Sequence, residues 1–184
     1  MPFAVCSVKN SMKKNLKLNK TFVIIAIIGI VLDIVSKEII AATMTINQSI
    51  DVLGSFFRLS FLYNSGVAFG YFQNNPQILL VVSFLVMIGI VFFFRSTIFT
   101  TEIPSKTLLV AVSFIVSGAF GNILDRIRFG EVRDFLDFDF PDFIMERFAV
   151  FNVADSLICV GIALILYYSF FIEPKLKQRT GGAA

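Results

Sequence analysis

The stretch TLLVAVSFIVSGAFGNIL, Thr107–Leu124, holds eighteen residues without a charge and is followed at once by Asp125 and Arg126. About 20 helical residues, rising about 1.5 Å each, cross a hydrocarbon core about 30 Å thick. The run is therefore long enough to span a membrane with a small extension into its flanks. Two further runs, Ile78–Phe94 and Ser156–Ile172, hold 17 uncharged residues each. A fourth, Thr21–Ile40, carries Asp33, Lys37 and Glu38 in its second half. Its uncharged part, Thr21–Leu32, would suit a buried helix of a soluble protein. Beside three apolar runs it reads as a span bearing functional polar groups.

Composition agrees with a bundle in lipid. Of 184 residues, 57% are hydrophobic and 16% charged, 23 are phenylalanine, and the mean hydropathy is +0.83. A soluble domain carries roughly 25% charged residues, and fewer leave too little polar surface to coat a globule. The expected fold is an all-α membrane bundle of four transmembrane helices with a small extracytoplasmic β-cradle. Residues 1–20 form a basic segment, 21–172 the membrane domain and 173–184 a basic tail.

Basic residues near span ends set the orientation. Lys9, Lys13, Lys14, Lys17 and Lys20 precede the first span, Arg95 and Lys106 flank the second link, and Lys175, Lys177 and Arg179 follow the last span. The opposite loops hold Arg58, Arg128, Arg133 and Arg147, with six acids between Glu131 and Glu146. Both termini are expected in the cytoplasm, with the first span an uncleaved targeting signal. Met12-Lys13-Lys14 resembles a natural start, and residues 1–11 are expected to be dispensable.

Cys6 and Cys159 give no disulfide or metal framework. Cys6 follows Phe3-Ala4-Val5 in the manner of a lipid-attachment box, yet only five residues precede it, too few for a signal. The chain has no histidine. That excludes Ser-His and Cys-His pairs, histidine zinc sites and imidazole bases, and leaves carboxylates, a lysine or an unusual metal for any hydrolysis.

The outer loops carry patterns of their own. Phe57, Leu59, Phe61 and Tyr63 alternate with Arg58, Ser60, Leu62 and Asn64, a strand period, and Asn64-Ser65-Gly66 supplies a turn. Asp134 to Phe140 alternates acids with aromatics. A small sheet on the outer interface follows, its phenylalanines toward lipid and its carboxylates toward water.

Polar residues of three spans fall at one depth. Asp33 and Lys37, four apart, share a helix face. Ser117 and Gly121 form a small-xxx-small pair suited to close helix approach, and Asn122, Asp125 and Arg126 project from one side. Asn152 suits an N-cap with Asp155 at the third position. Taken singly these are an ion pair, a packing stripe, an Arg-Asp anchor and a cap. Their common height is the feature that points to a site, since ionisable groups within spans mark function.

Without histidine, two aspartates sharing a proton are the simplest hydrolytic device: one acts as base toward water while the other polarises the carbonyl. Asp155 is one member on this reasoning. Its partner stays open among Asp134, Asp137, Asp139 and Asp142. No metal, cofactor or nucleic acid is called for.

Five blocks resemble the bacterial lipoprotein signal peptidases (signal peptidase II), in that family's order: Asp33-Ile34-Val35-Ser36-Lys37; Asn64-Ser65-Gly66-Val67-Ala68-Phe69; Gly118 through Arg126; Val132-Arg133-Asp134-Phe135; and Phe151-Asn152-Val153-Ala154-Asp155-Ser156. The resemblance implies a catalytic dyad of Asp134 and Asp155. It implies that Asn64, Gly66, Gly118, Asn122, Asp125, Arg126 and Asn152 line or brace the site, and that Asp33 and Lys37 tie the first span to it. The implied substrate is a diacylglyceryl-modified prolipoprotein cut before its lipidated cysteine, in the bacterial cytoplasmic (inner) membrane, at the extracytoplasmic face. Contact with membrane lipids and sensitivity to globomycin-type inhibitors are implied as well. Ser117 departs from the pattern, where relatives often have another glycine. Phe56, Phe57, Phe69 and Phe72 could clamp a bound lipopeptide.

Three other readings stand beside this one. A small ion-coupled membrane carrier would also bury Asp, Asn and Arg, but at the midplane and with an inverted repeat. A scaffold protein would use the same groups as helix glue. A Ser-Lys protease on Ser36-Lys37 suffers because adjacent residues point about 100° apart on a helix.

Overall fold

A computed structural model of the chain describes residues 19–66, 76–99, 105–140 and 148–181. Val67, Ala68, Phe69, Phe72, Asp142 and the basic residues before position 19 lie outside the described residues. The order of elements is α1 (Lys20–Thr43), β1 (Ser49–Leu53), β2 (Phe57–Asn64), α2 (Pro76–Phe93), α3 (Arg95–Phe99), α4 (Lys106–Phe129), β3 (Val132–Phe138), α5 (Val153–Tyr167), a π-helical turn (Tyr168–Ile172) and α6 (Glu173–Gly181).

Helix α1 is inside-out by the standards of a soluble protein. Its buried stripe is Phe22, Ala26, Gly29, Asp33, Lys37 and Ile40, spaced three or four apart on one face. Ile24, Ile27, Ile28, Leu32 and Ile39, on the other face, are each more than half exposed. Asn19 starts the helix by accepting bonds from the Thr21 and Phe22 N–H groups at 3.0 and 3.3 Å. The same exposure of large apolar side chains covers α2, α5 and the π-helical turn, from Val81 and Leu85 to Phe170 and Phe171. Such a surface would associate or aggregate in water and suits lipid.

Helix α4 is the central element, packed against α1, α2 and α5. Ser105 caps its start at the Thr107 N–H. Gly130 ends it in the left-handed conformation at φ 78°, its N–H donating to Arg126 O. The helix thus runs on past the uncharged stretch, carrying Asp125 and Arg126 in its last turns. Small residues let its neighbours approach. Ser117 faces Gly29 of α1, where a methyl group would meet the Ser117 side chain, and a methyl on Gly121 would meet the Asp33 carboxylate. Gly118 lies against the Ala154 carbonyl of α5. The Ser117 hydroxyl itself donates to Phe114 O at 2.9 Å.

The helices α4 and α5, the latter continued to Leu176, are long and apolar enough to cross a membrane. The apolar length of α2, Gln77–Phe93, is shorter, and α1 is set apart by its charges. Beyond Ile172 the stretch read as a tail continues as helix α6.

Two apolar clusters mark the ends of the bundle. Phe22, Ile98, Leu108, Leu109, Val112 and Tyr168 join the start of α1 to the start of α4 and the end of α5, and Asn19 N–H donates to Ile98 O at 2.8 Å. Ile40, Met44, Phe61 and Phe135 close the opposite end against the sheet. That sheet has the order β1-β2-β3, antiparallel throughout, with Asp51 opposite Arg58, Leu62 opposite Asp134 and Asn64 opposite Val132. A register shift lies between Leu59 and Leu62. Phe151 adds a bridge to Leu136 and so delivers the chain to the start of α5.

Strand β2 falls where the alternation places it and β3 close to it, while β1 is not among the expected strands, and the acids of β3 do not face water. Asp134 and Asp137 are buried, whereas Asp139, just past the strand, is partly exposed and Asp51 of β1 is exposed. The physical reason is pairing: each buried carboxylate accepts at least one hydrogen bond, which offsets part of the cost of leaving solvent. Phe56, Phe57, Phe138, Phe140, Phe148 and Phe151 instead form a run of stacked and edge-on rings.

Candidate active site

The site is built where α4 ends, α5 begins and β2 and β3 cross over them. Asn152 accepts from the Asp155 N–H at 2.9 Å, while Asp155 accepts from the Asn152 N–H at 3.2 Å, a reciprocal cap at the start of α5. The cap reading is correct and is only half of the role. The Asn152 amide also donates to Asp134 Oδ1 at 2.7 Å and to Asn122 Oδ1 at 3.2 Å. One asparagine side chain therefore touches Asp134 while holding Asp155 by its backbone.

The other oxygens of the pair are also bound. Asn64 Nδ2 donates to Asp134 Oδ2 at 2.8 Å, and Asn64 Oδ1 accepts from the Gly66 N–H at 2.9 Å, which fixes the turn after β2. Asn122 Nδ2 donates to Asp155 Oδ1 at 2.7 Å. Burial, reinforced by the charge of Asp155, raises the Asp134 carboxyl from 3.8 to about 7, against the bonds from Asn64 and Asn152 and the charge of Lys37.

Behind this pair lies a buried ionic network. Lys37 Nζ, fully buried, donates to Asp33 Oδ2 at 2.9 Å and Asn122 Oδ1 at 3.1 Å, and sits 3.4 Å from Asp125 Oδ2. Asp33 Oδ1 accepts from the Ala154 N–H at 2.9 Å. The first helix thereby ties to both of the others. Asp125 pairs with Arg133 and Lys37 rather than with its neighbour Arg126, contrary to the expected Arg-Asp anchor. Arg126 instead lines the cavity, where Asp155 and Asp134 are the charges that act on it most.

The cavity has a volume of about 430 Å³, within the common range for ligand sites. Asn64, Asn122, Arg126, Asp134 and Asp155 supply its polar side, and Val132, Val150, Phe151 and Ile158 its apolar side. Gly66 is on its rim, while Gly118 acts behind it by letting α5 close on α4. Among the described residues, Asp137 and Asp139 are not part of the lining. Asp137 accepts from Ser60 Oγ at 2.6 Å and faces Arg58, which also meets Asp139. Ser36 donates to Asp33 O at 2.9 Å, so its hydroxyl and the Lys37 ammonium serve different partners.

Arg133 is the residue that sequence reasoning passed over. Counted as a loop charge and placed in a family block without a role of its own, it is among the most buried side chains. A buried position could have been inferred from its place in a strand between Val132 and Asp134, opposite an acid-bearing helix end.

A bundle with an apolar exterior, and with buried polar groups gathered around a cavity at one end, is the build of a membrane enzyme. Residues 25–171 match the family described as signal peptidase (SPase) II, and the chain belongs to that family. It is 34% identical over 153 residues to a lipoprotein signal peptidase of Symbiobacterium thermophilum, covering 83% of this chain and 96% of the relative. A lipoprotein signal peptidase of Leptospira biflexa is 36% identical over 160 residues, covering 76% and 83%. A solved bacterial membrane enzyme, studied by the in meso method, superposes with a TM-score of 0.71 at 30% identity, covering 85% of this chain and 98% of that one.

Proposed function

We propose that the chain removes signal peptides from diacylglyceryl-modified prolipoproteins, cutting before the lipidated cysteine, with Asp134 and Asp155 as an aspartic dyad. The observation that carries this is the double engagement of Asn152, which holds both carboxylates on one cavity. Membership of the family supports the substrate class. Four spans with both termini in the cytoplasm would set the cavity at the extracytoplasmic face of the bacterial cytoplasmic membrane, and the alternating direction of α1, α2, α4 and α5 agrees with that. The exposed apolar flanks suit a substrate arriving sideways from lipid.

In the mechanism, Asp134 keeps its proton near neutrality and donates a hydrogen bond to the scissile carbonyl oxygen. Ionised Asp155 takes a proton from water, whose oxygen attacks the carbonyl carbon. The tetrahedral intermediate collapses as a proton passes from the dyad to the departing amide nitrogen, breaking the C–N bond. The products are a carboxyl and an amine, and the dyad regains one shared proton. Arg126 offsets negative charge on the cavity side, and Asn64, Asn122 and Asn152 fix the two carboxylates so that little reorganisation is needed.

The test is purified protein with a lipidated precursor peptide. Asp134→Asn and Asp155→Asn are expected to cut turnover by about three orders of magnitude while folding is kept. Full turnover in either variant would overturn the dyad.

A further inference from the structure

We infer that Arg133 is a positioning residue for the reaction: it balances the charge of Asp125 and clamps β3 to α4, which keeps Lys37 available to the asparagine scaffold and Asp134 correctly aimed. This deepens the reading given under Proposed function and rests on it.

The geometry is that of a fork. Arg133 Nη2 donates to Asp125 Oδ1 at 2.8 Å and Nε to Asp125 Oδ2 at 3.2 Å, while the Arg133 backbone N–H reaches the same Oδ2 at 3.1 Å. Nη1 donates to Glu38 Oε1 at 3.2 Å, and the guanidinium lies 4.7 Å from the centre of the Phe129 ring. Planar bidentate pairing of this kind fixes orientation as well as charge. Because Arg133 directly precedes Asp134, the clamp locks the backbone that carries one of the two acids.

Charge balance supplies the second half of the argument. In the fully buried part of the network, Asp33 and Asp125 are matched by Lys37 and Arg133. Lys37 alone would face two carboxylates. It would be drawn toward Asp125 and away from Asn122, the residue that donates to Asp155. Glu38, about half exposed and also paired with Arg128, contributes only at the edge.

Of the charged groups around the pair, Asp155 and Lys37 act on Asp134 directly, Arg126 on α4 faces both acids, and Arg133 on β3 acts through Asp125, which it shares with Lys37. Removing the Arg133 cation leaves excess negative charge buried behind the dyad. Its shared proton is then held to higher pH.

The experiment is the pH profile of cleavage of a lipidated precursor peptide by wild type, Arg133→Met and Arg133→Lys, with kcat and KM separated. Arg133→Met is expected to lower kcat about tenfold or more at little change in KM, and to move the alkaline limb upward by on the order of one pH unit. Arg133→Lys restores charge without the fork, so its limb returns to the wild-type position while kcat stays several-fold low. A purely structural role would lower stability and yield of folded enzyme and leave the limb unmoved, and that result overturns the inference. Should Arg133→Met fail to fold, Arg133→Lys decides alone: kcat equal to wild type overturns, a lowered kcat at unchanged KM supports. Wild-type protein that does not cleave at all would instead overturn the function proposed above, so the two failures are distinct.

Discussion

Asp33, in the middle of α1, accepts the backbone N–H of Ala154 at 2.9 Å, so α1 helps to cap the start of α5. The same carboxylate holds Lys37 with its other oxygen, also at 2.9 Å. A single side chain thus satisfies an orphan donor at a helix start and neutralises a buried cation. Asp33→Ala removes both. Losing one partner of a buried pair costs about 3–5 kcal/mol, and a marked fall in the thermal midpoint in detergent is expected, together with loss of cleavage. A midpoint within a degree or two of wild type would show that the cap is not structural.

Two glycines in apolar helices should respond in opposite ways. A methyl group on Gly118 would meet the backbone carbonyl of Ala154, which has no rotamer to move. Gly118→Ala is expected to destabilise by about 1–3 kcal/mol through overpacking and to reduce activity, because Ala154 neighbours Asp155. Gly89 in α2 has nothing within 4 Å of the same methyl position. Gly89→Ala should be neutral, or more stable by up to about 1 kcal/mol. Equal melting curves for the two variants would contradict the packing described.

Much of this fold was legible because lipid imposes a simple rule on composition, and the four apolar runs match the helices closely. The strand alternation and the Asn152 cap were equally readable. Which acid shares the cavity with Asp155 was not, since Asp134, Asp137 and Asp139 sit in one run of acids and aromatics. Parity could have narrowed it. Positions 134 and 137 differ by an odd number and point to opposite faces of a strand, whereas 137 and 139 share a face. The structure follows that rule: Asp137 and Asp139 both meet Arg58, and Asp134 meets Asn64 and Asn152. What no local pattern supplies is a long-range pairing such as Lys37 with Asn122, or the burial of acids that composition alone assigns to water.

The adjacent pair Ser36 and Lys37 separates two hydrolytic chemistries. The Ser36 hydroxyl is spent on Asp33 O within its own helix, and Lys37 is enclosed by Asp33, Asn122 and Asp125. Ser36→Ala is expected to keep wild-type turnover and to change stability by less than about 0.5 kcal/mol, as for a dispensable polar contact. Lys37→Met leaves two carboxylates buried without their shared cation, and should abolish turnover with a large loss of stability. A peptide-cleavage assay on both variants is sufficient. Loss of turnover in Ser36→Ala would revive a serine nucleophile.

The pH behaviour of Asp134 gives the most specific expectation. Its carboxyl keeps a proton up to about 7, through burial first and the charge of Asp155 second, where an ordinary aspartate releases it at 3.8. Between those values the folded state binds more protons than the unfolded state, so this group's contribution to stability is complete below 3.8 and declines as pH rises, levelling off above about 7. Wild type should therefore lose stability relative to Asp134→Asn across that window and no further beyond it. Turnover should show an alkaline limb near the upper end, because a dyad that has lost its shared proton no longer donates to the carbonyl oxygen, and such a limb belongs to the pair rather than to one residue. Asn64→Leu removes a bond that favours the ionised form, so its limb should shift upward while kcat falls. Melting curves and cleavage rates at matched pH check the set together. Parallel stability profiles for wild type and Asp134→Asn, or an Asn64→Leu limb that moves down, would show that Asp134 is ionised throughout and that the proton resides elsewhere.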